Sequence, residues 1–426
     1  MKLNGWIWLN MLKVNGIKFL LLFAFLSTLN VNFGKTLIVG KKENYNSIKS
    51  AIAKVAIGDT IIIKEGLYRE GNLIIDKPIT IIGINTPIID GENKYEIITV
   101  KSDNVFISGL RLINSGLSFI EDNAAIKLEA VNNCTIINNE FNNNFFAIYL
   151  AKSTNCKIIQ NSIKAIKKTE TSSGNGIHLW YCKNITIQQN YISGHRDGIY
   201  LEFVRTSEIK NNFSENNLRY GLHFMFSDSC KYSENMFKHN GAGVAVMYTK
   251  NVEMTNNRFE NNWGGASYGI LLKDISDSDI KNNIFYKNSS GLYIEGSNRV
   301  NIYDNDFTEN GWAIRLMANS MEINFVRNNF IGNSFDVTTN STHNFNFFEN
   351  NFWSEYKGYD IDKNGIGDVP FRPIKLFSLI VEKNRPTLIL LRSLFIDILD
   401  AAEKIFPVLT PETLIDKSPA MKRFYD

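Results

Sequence analysis

At ten places about 22 residues apart along this chain, alternating apolar residues lead to an Asn that stands two residues before a Phe or Ile. The closing residues are Phe141, Ile163, Ile192, Phe213, Phe237, Phe259, Phe285, Phe307, Phe330 and Phe352. The residues two before them are Asn139, Asn161, Asn190, Asn211, Asn235, Asn257, Asn283, Asn305, Asn328 and Asn350. Alternating apolar residues lead into each pair, as in NNCTIINNEF (132–141) and KNVEMTNNRF (250–259). An internal period of two belongs to strands, so the repeat is a strand-built coil and not a helical hairpin. A turn ladder accounts for the invariant Asn. Asn tolerates left-handed backbone angles, and amides stacked about 4.8 Å apart can bond to one another from coil to coil.

A second strand recurs in each coil behind a Gly: GIHLW at 176, GIYLE at 198, GLHFM at 221, GVAVM at 243, GILLK at 269 and GLYIE at 291. The first and third residues after each Gly are large and apolar (Ile177 and Leu179, Leu222 and Phe224, Val244 and Val246) and are expected to point inward. With a short third strand this describes an all-β fold, a right-handed parallel β-helix of about ten coils, of the pectin-lyase-like kind. Residues 45–68 read as an amphipathic helix (Ile48, Ala51, Ile52, Val55), a Gly-Asp turn and a strand, an N-terminal cap for the first open coil. Residues 387–406, between Pro386 and Pro407, read as one amphipathic helix in a C-terminal tail, either packed on the last coil or docked on a membrane-embedded partner. The expected division is a leader at 1–34, the solenoid at 35–375 and the helical tail at 376–426.

Lys2, Lys13 and Lys18, an apolar run from Phe19 to Leu26 and a small-residue exit at Gly34 describe a cleavable signal peptide, and so export. Removing it takes away three Lys and no acid, which brings the formal charge of +3 to zero. A near-neutral surface argues against a nucleic-acid partner. Cys134, Cys156 and Cys230 fall in one inward column and are expected to act as small core residues; a Cys134–Cys156 disulfide is the alternative.

Stacking also sets outward residues side by side. His223 and Met225 lie two apart on one strand, and Met247 lies beside Met225 on the next coil. An imidazole with two thioethers is a soft ligand set suited to Cu(I), or else part of an apolar surface stripe. YDIDKNGIGD (359–368) sets Asp360, Asp362, Asn364 and Asp368 around Gly365, like the first half of a calcium loop. Phe371 stands where the closing Glu of such a loop belongs, and an acidic turn is the alternative. GHRDG (194–198) places His195, Arg196 and Asp197 on a loop, while Glu202 and Glu295 stand isolated. A polysaccharide lyase, hydrolase or epimerase needs convergent groups, so catalysis is the secondary reading and a non-enzyme the first.

RYGLHFMFS (219–227), GVAVMYTKNVEM (243–254) and FWSEYKGYDIDKNGIGDVPFRP (352–373), with the leader and the Asn coils, resemble the NosD family of periplasmic copper-binding maturation proteins of nitrous oxide reductase. The resemblance implies a non-enzymatic periplasmic protein that handles copper and helps build the reductase's copper–sulfur cluster. It also implies an ABC transporter, with membrane and ATPase subunits, as the seat of the protein. A small lipoprotein chaperone would be its copper source, and the tail would contact the membrane subunits.

Overall fold

Three parallel sheets of 14, 12 and 13 strands wind into one right-handed β-helix. The computed structural model describes residues 34–118, 122–166, 169–341, 345–391, 393–405 and 414–424; most of the expected leader lies outside them. Each strand pairs only with its counterpart one coil away, so all three sheets run the length of the solenoid. The strand count exceeds the ten coils read from the Asn repeat. Strands Thr36–Val39, Thr60–Ile63, Thr80–Gly83 and Phe106–Ser108 open the first sheet before any ladder Asn occurs. There Gly83 and Gly109 shape the corner, because a Cβ on either would overlap the other's backbone.

The ladder is real, but two of its members differ from the expected ones. Each ladder Asn donates its backbone N–H and its Nδ2–H to the Oδ1 of the next, as Asn235 does to Asn257 (both 3.0 Å). It also donates to a carbonyl of the preceding coil, as Asn190 does to Ile158 O (2.9 Å). In the fourth and last of the expected pairs the members are Asn212 and Asn351, not Asn211 and Asn350. Asn211 and Asn350 take the left-handed corner that precedes every ladder residue (φ 54° and 53°). The inward residue of the first of these coils is therefore Ser214, paired with Ile192 and Phe237, while Phe213 faces out. In the second it is Trp353, stacked on Phe330 at 4.1 Å. Adjacent Asn pairs hide the one-residue slip. A second ladder, Asn217, Asn240, Asn262, Asn288, Asn310 and Asn333, lines the next corner by the same bonds.

The core is filled as the periodicity predicts. Ile177, Leu179, Leu222, Phe224, Val244 and Val246 are buried, and Phe237, Phe259, Phe285, Phe307 and Phe330 form a continuous ring stack. All four Cys are buried and free, so the core role holds and the disulfide does not form. Met254 is buried, and Met236 opens strand Met236–Lys238. At the start, helix Ile48–Lys54 buries Ile48 and Ala51 over the first coil. Glu70 accepts from the backbone N–H of Ile48 and Lys49 and from the hydroxyl of Ser47, satisfying the helix N-terminus.

The tail is not one helix. Helix Leu376–Lys383 comes first, a 3₁₀ segment spans Arg385–Leu390 with Pro386 in its first turn, and helix Leu394–Ile405 follows. The first helix is pinned by Phe377 against Phe335 and by Glu382, which accepts from Arg315 Nη2 (2.7 and 3.0 Å). Residues 414–424 then return to the last coil. There Asp416 closes the Asn ladder: its Oδ2 accepts from Asn351 N and Nδ2 and from Trp353 Nε1, and its Oδ1 from Asn350 N and Ser418 N. Asp416→Ala would leave these buried donors unpaired. At about 1–3 kcal/mol for each group stranded, it should lower the thermal midpoint and speed amide exchange across 414–424. Asn257→Ala should destabilise mid-solenoid by a similar amount per orphaned group without changing exchange at 414–424. Unchanged melting in both variants would refute the ladder's role.

Candidate functional site

The outward positions of the Gly-led strands form two columns whose order is set by register. One runs Tyr149, His178, Tyr200, His223, Ala245, Leu271, Tyr293, Arg315; the other runs Trp180, Glu202, Met225, Met247, Lys273, Glu295. Met225 is thus directly abreast of Met247, and both are half-buried. His223, two residues before Met225 on the same face, differs from the exposed patch expected: only 3% of it reaches solvent. Its ring lies between Tyr200 (4.8 Å) and Tyr220 (4.7 Å), and neither ring nitrogen has a hydrogen-bond partner.

The GHRDG loop covers this histidine. Asp197 is fully buried, with its Oδ2 3.5 Å from His223 Nδ1. Its Oδ1 accepts from Tyr220 N (3.3 Å) and lies 3.6 Å from Arg219 Nε; Arg196 Nε is 4.0 Å from Oδ2. The carboxylate thus sits between two arginines and faces His223 Nδ1, on the side of the ring away from Nε2. Sequence reasoning left these residues on a loop. The signal lay in Gly198: Asp197 immediately precedes the Gly of one strand, so it folds over the outward column of the next coil.

His178 packs against Phe146, Tyr149 and Tyr200, with its Nδ1 3.2 Å from Asn175 Nδ2. Burial, aided by the Arg196 charge, lowers its pKa to about 3. His195 occupies the second ladder's corner, donating its backbone N–H to Asn217 Oδ1 (3.1 Å), and burial lowers its pKa to about 4. Both rings are neutral in the fold, whereas in the unfolded chain they protonate near the ordinary value of 6.5. Unfolding therefore takes up protons below that value. Their contribution to stability is fully present above about pH 6.5 and declines as pH falls towards 4. Thermal midpoints measured from pH 7.5 to 4.5 should drop, and His178→Phe should flatten the slope; an unchanged slope in that variant would contradict the buried neutral ring.

Glu202 and Glu295 are separated by four coils, roughly 19 Å at the strand spacing, against the roughly 5–9.5 Å that paired glycosidase carboxylates require. Among the described residues no three His, Cys, Asp or Glu side chains form a metal-binding group.

Asp360, Asp362, Asn364 and Asp368 do share one exposed turn, with Gly365 at φ 88°. Their oxygens hold that turn's own donors: Asp360 accepts from Gly365 N (2.8 Å), Asp362 and Asp360 from Asn364 N (3.2 and 3.1 Å), Asn364 from Ile366 N (2.7 Å), and Asp368 from Ile361 N (2.7 Å). A cation here would compete with these N–H groups. The turn also holds the returning segment, through Gly367 N to Pro419 O (2.8 Å) and Met421 N to Gly365 O (3.0 Å).

Residues 164–365, which include this face, match the family described as "Periplasmic copper-binding protein (NosD)". The chain is 28% identical over 371 residues to the "Probable ABC transporter binding protein NosD" of Pseudomonas aeruginosa, covering 83% of this chain and 86% of that protein. It is 25% identical over 373 residues to the protein of the same name from Stutzerimonas stutzeri, covering 83% and 85%. Among solved structures it is similar to the family 28 exopolygalacturonase of Yersinia enterocolitica (TM-score 0.58, 11% identity, 74% of this chain and 78% of that one). It is also similar to the catalytic unit of an α-1,3-glucanase from Streptomyces thermodiastaticus (TM-score 0.55, 13% identity, 72% and 62%). At such identities these two likenesses establish the fold alone.

Proposed function

From its membership of the NosD family, we propose that this chain is a periplasmic, non-enzymatic accessory protein that handles copper for assembly of the copper–sulfur cluster of nitrous oxide reductase, working with an ABC transporter. The observation that carries the reading is the abreast pair Met225 and Met247 beside a buried imidazole with unpartnered nitrogens. Two thioethers and one imidazole favour Cu(I) over harder ions. So small a ligand set also suits an ion that must leave again. Tyr200 and Tyr220 hold the His223 ring, and Asp197 faces its Nδ1, so that Nε2 is the nitrogen available to the ion. Met225→Ala with Met247→Ala should weaken Cu(I) binding at least about tenfold, read by competition with a chromophoric chelator, and leave the fold intact. Unchanged affinity and stoichiometry would exclude the site. Turnover of a uronate polymer would instead favour an enzyme.

The transporter's membrane subunits would meet the tail. No helix among the described residues is long and apolar enough to cross a membrane, yet Ile389, Leu394, Phe395 and Ile398 stand exposed on the 3₁₀ segment and the last helix. Their opposite side is anchored through Ile396 and through the Phe335–Phe377 contact. Exposed apolar residues on an anchored element fit a partner surface. Replacing Ile389, Leu394 and Ile398 by Ser should abolish co-purification with the transporter and leave Cu(I) affinity unchanged. Undiminished co-purification would move the contact elsewhere.

A further inference from the structure

Two coils are longer than the one between them. Strand pairing sets Glu140 29 positions after Arg111 and Tyr191 29 after Ser162, against 22 from Glu140 to Ser162 and from Tyr191 to Phe213. The extra residues fall at one corner, from Ile113 to Ala124 and from Lys164 to Ile177, where the coil between runs directly from Asn142 to Phe146. The second long coil bends back over the short one: a Cβ on Gly174 would overlap the carbonyl of Phe145. The second Asn ladder is interrupted at the same place. Register puts Asn144, Ile166, His195 and Asn217 at one corner position on successive coils, but the Ile166 side chain is 71% exposed and has no amide to pass on. Beside this gap lies a solvent-connected cavity of ≈ 320 Å³, lined from both long coils and by Gly194 and His195 of the GHRDG loop.

His195 is the buried polar group of this cavity: only 1% of it is exposed, and its Nε2 has no hydrogen-bond partner. The Gly174 carbonyl holds the ring proton on Nδ1, so Nε2 presents a lone pair. Ser115 Oγ accepts from Phe145 N (2.9 Å) and keeps its own hydrogen to donate. Asn143 gives an Nδ2 hydrogen to Asn114 Oδ1 (3.3 Å), which leaves its Oδ1 as an acceptor. The cavity thus mixes acceptors with a donor, and hydroxyl groups, which do both, match such a set. Leu117, Phe145 and Ile166 add an apolar wall suited to the C–H face of a sugar ring. No Asp, Glu, Lys or Arg is among the described residues that line it, so a metal ion, a phosphate or a uronate would be taken from water with no opposite charge to meet it. The volume lies at the small end of the roughly 300–1,000 Å³ of small-molecule sites, which suits a mono- or disaccharide and not a polymer.

We propose that this cavity binds a neutral mono- or disaccharide, whose hydroxyl groups bond to His195 Nε2, Ser115 Oγ and Asn143 Oδ1. The site shares no residue with His223, Met225 and Met247, and it stands whether or not they hold copper. The test uses the full mature chain, with glucose, N-acetylglucosamine and cellobiose as neutral probes and galacturonate as the charged one, read by saturation-transfer NMR and titration calorimetry. At least one neutral probe should bind, with a Kd of about 1 mM, and galacturonate at least about tenfold more weakly. His195→Asn installs the residue that the flanking corners carry, so the melting temperature should hold while sugar affinity falls at least about tenfold. Ser173→Trp, on the lining loop, should fill the cavity and abolish binding. Cu(I) affinity should stay unchanged in both variants. Saturation transfer to none of the neutral probes, galacturonate binding as tight as theirs, or undiminished sugar binding in either variant would overturn the proposal. A parallel loss of Cu(I) affinity would show that the variants act through the loop as a whole, and would overturn it equally.

Discussion

The structure depends on an amide chain with a direction. Each ladder Asn accepts twice at one oxygen, from the backbone and side chain of the coil before it, and donates in the same sense to the coil after. Such a chain cannot skip a coil or slip by one residue without stranding buried donors, so it locks the register of all three sheets. It also creates a need at its end. The last Asn bonds Phe325 O through one amide hydrogen but has no further Asn to take its backbone N–H and its other amide hydrogen, and a carboxylate, an acceptor only, is the group that suits. Asp416 supplies it from beyond two helices. The solenoid and the returning segment are therefore one hydrogen-bonded system, and the helices between them are held at both ends.

Locked register turns sequence positions into columns, and columns bring chemistry together. Met225 and Met247 are 22 positions apart in the chain but abreast in space. His178 and His223 are kept apart by Tyr200, so the two imidazoles do not form a pair. The covering turn adds what a bare column lacks, a buried carboxylate beside one of those rings.

Much of this was legible because the period is strict. Inward residues, the free Cys and the capping helix followed from alternation and spacing alone. The slips occurred where two Asn adjoin: Asn211 and Asn350 fit the pattern through Phe213 and Phe352, whereas the ladder members Asn212 and Asn351 precede Ser214 and Trp353, and the hydrogen-bond chain identifies them. The first coils escaped the count because no Asn stands at their ladder position; on the coil before Asn139 that position is Leu110, whose N–H donates to Asn139 Oδ1. The break in the tail helix lies at Leu391, whose backbone leaves helical angles (φ −55°, ψ 129°) and ends the 3₁₀ segment, so the α-helix begins only at Leu394. Asp197 is legible as a loop residue, but its approach to His223 is not, because contacts made over a turn leave no periodic trace.

A solenoid repeats its stability requirements, and this gives departures from the repeat a meaning they lack in an irregular fold. Inward columns want bulk and corner columns want small or polar side chains; a residue that breaks its column's rule reduces stability with no packing gain nearby. By that measure the aromatic corner from Tyr181 to Tyr248 and the unpartnered His223 are the two clearest departures among the described residues. They fall on the same coils, either side of the same pair of thioethers.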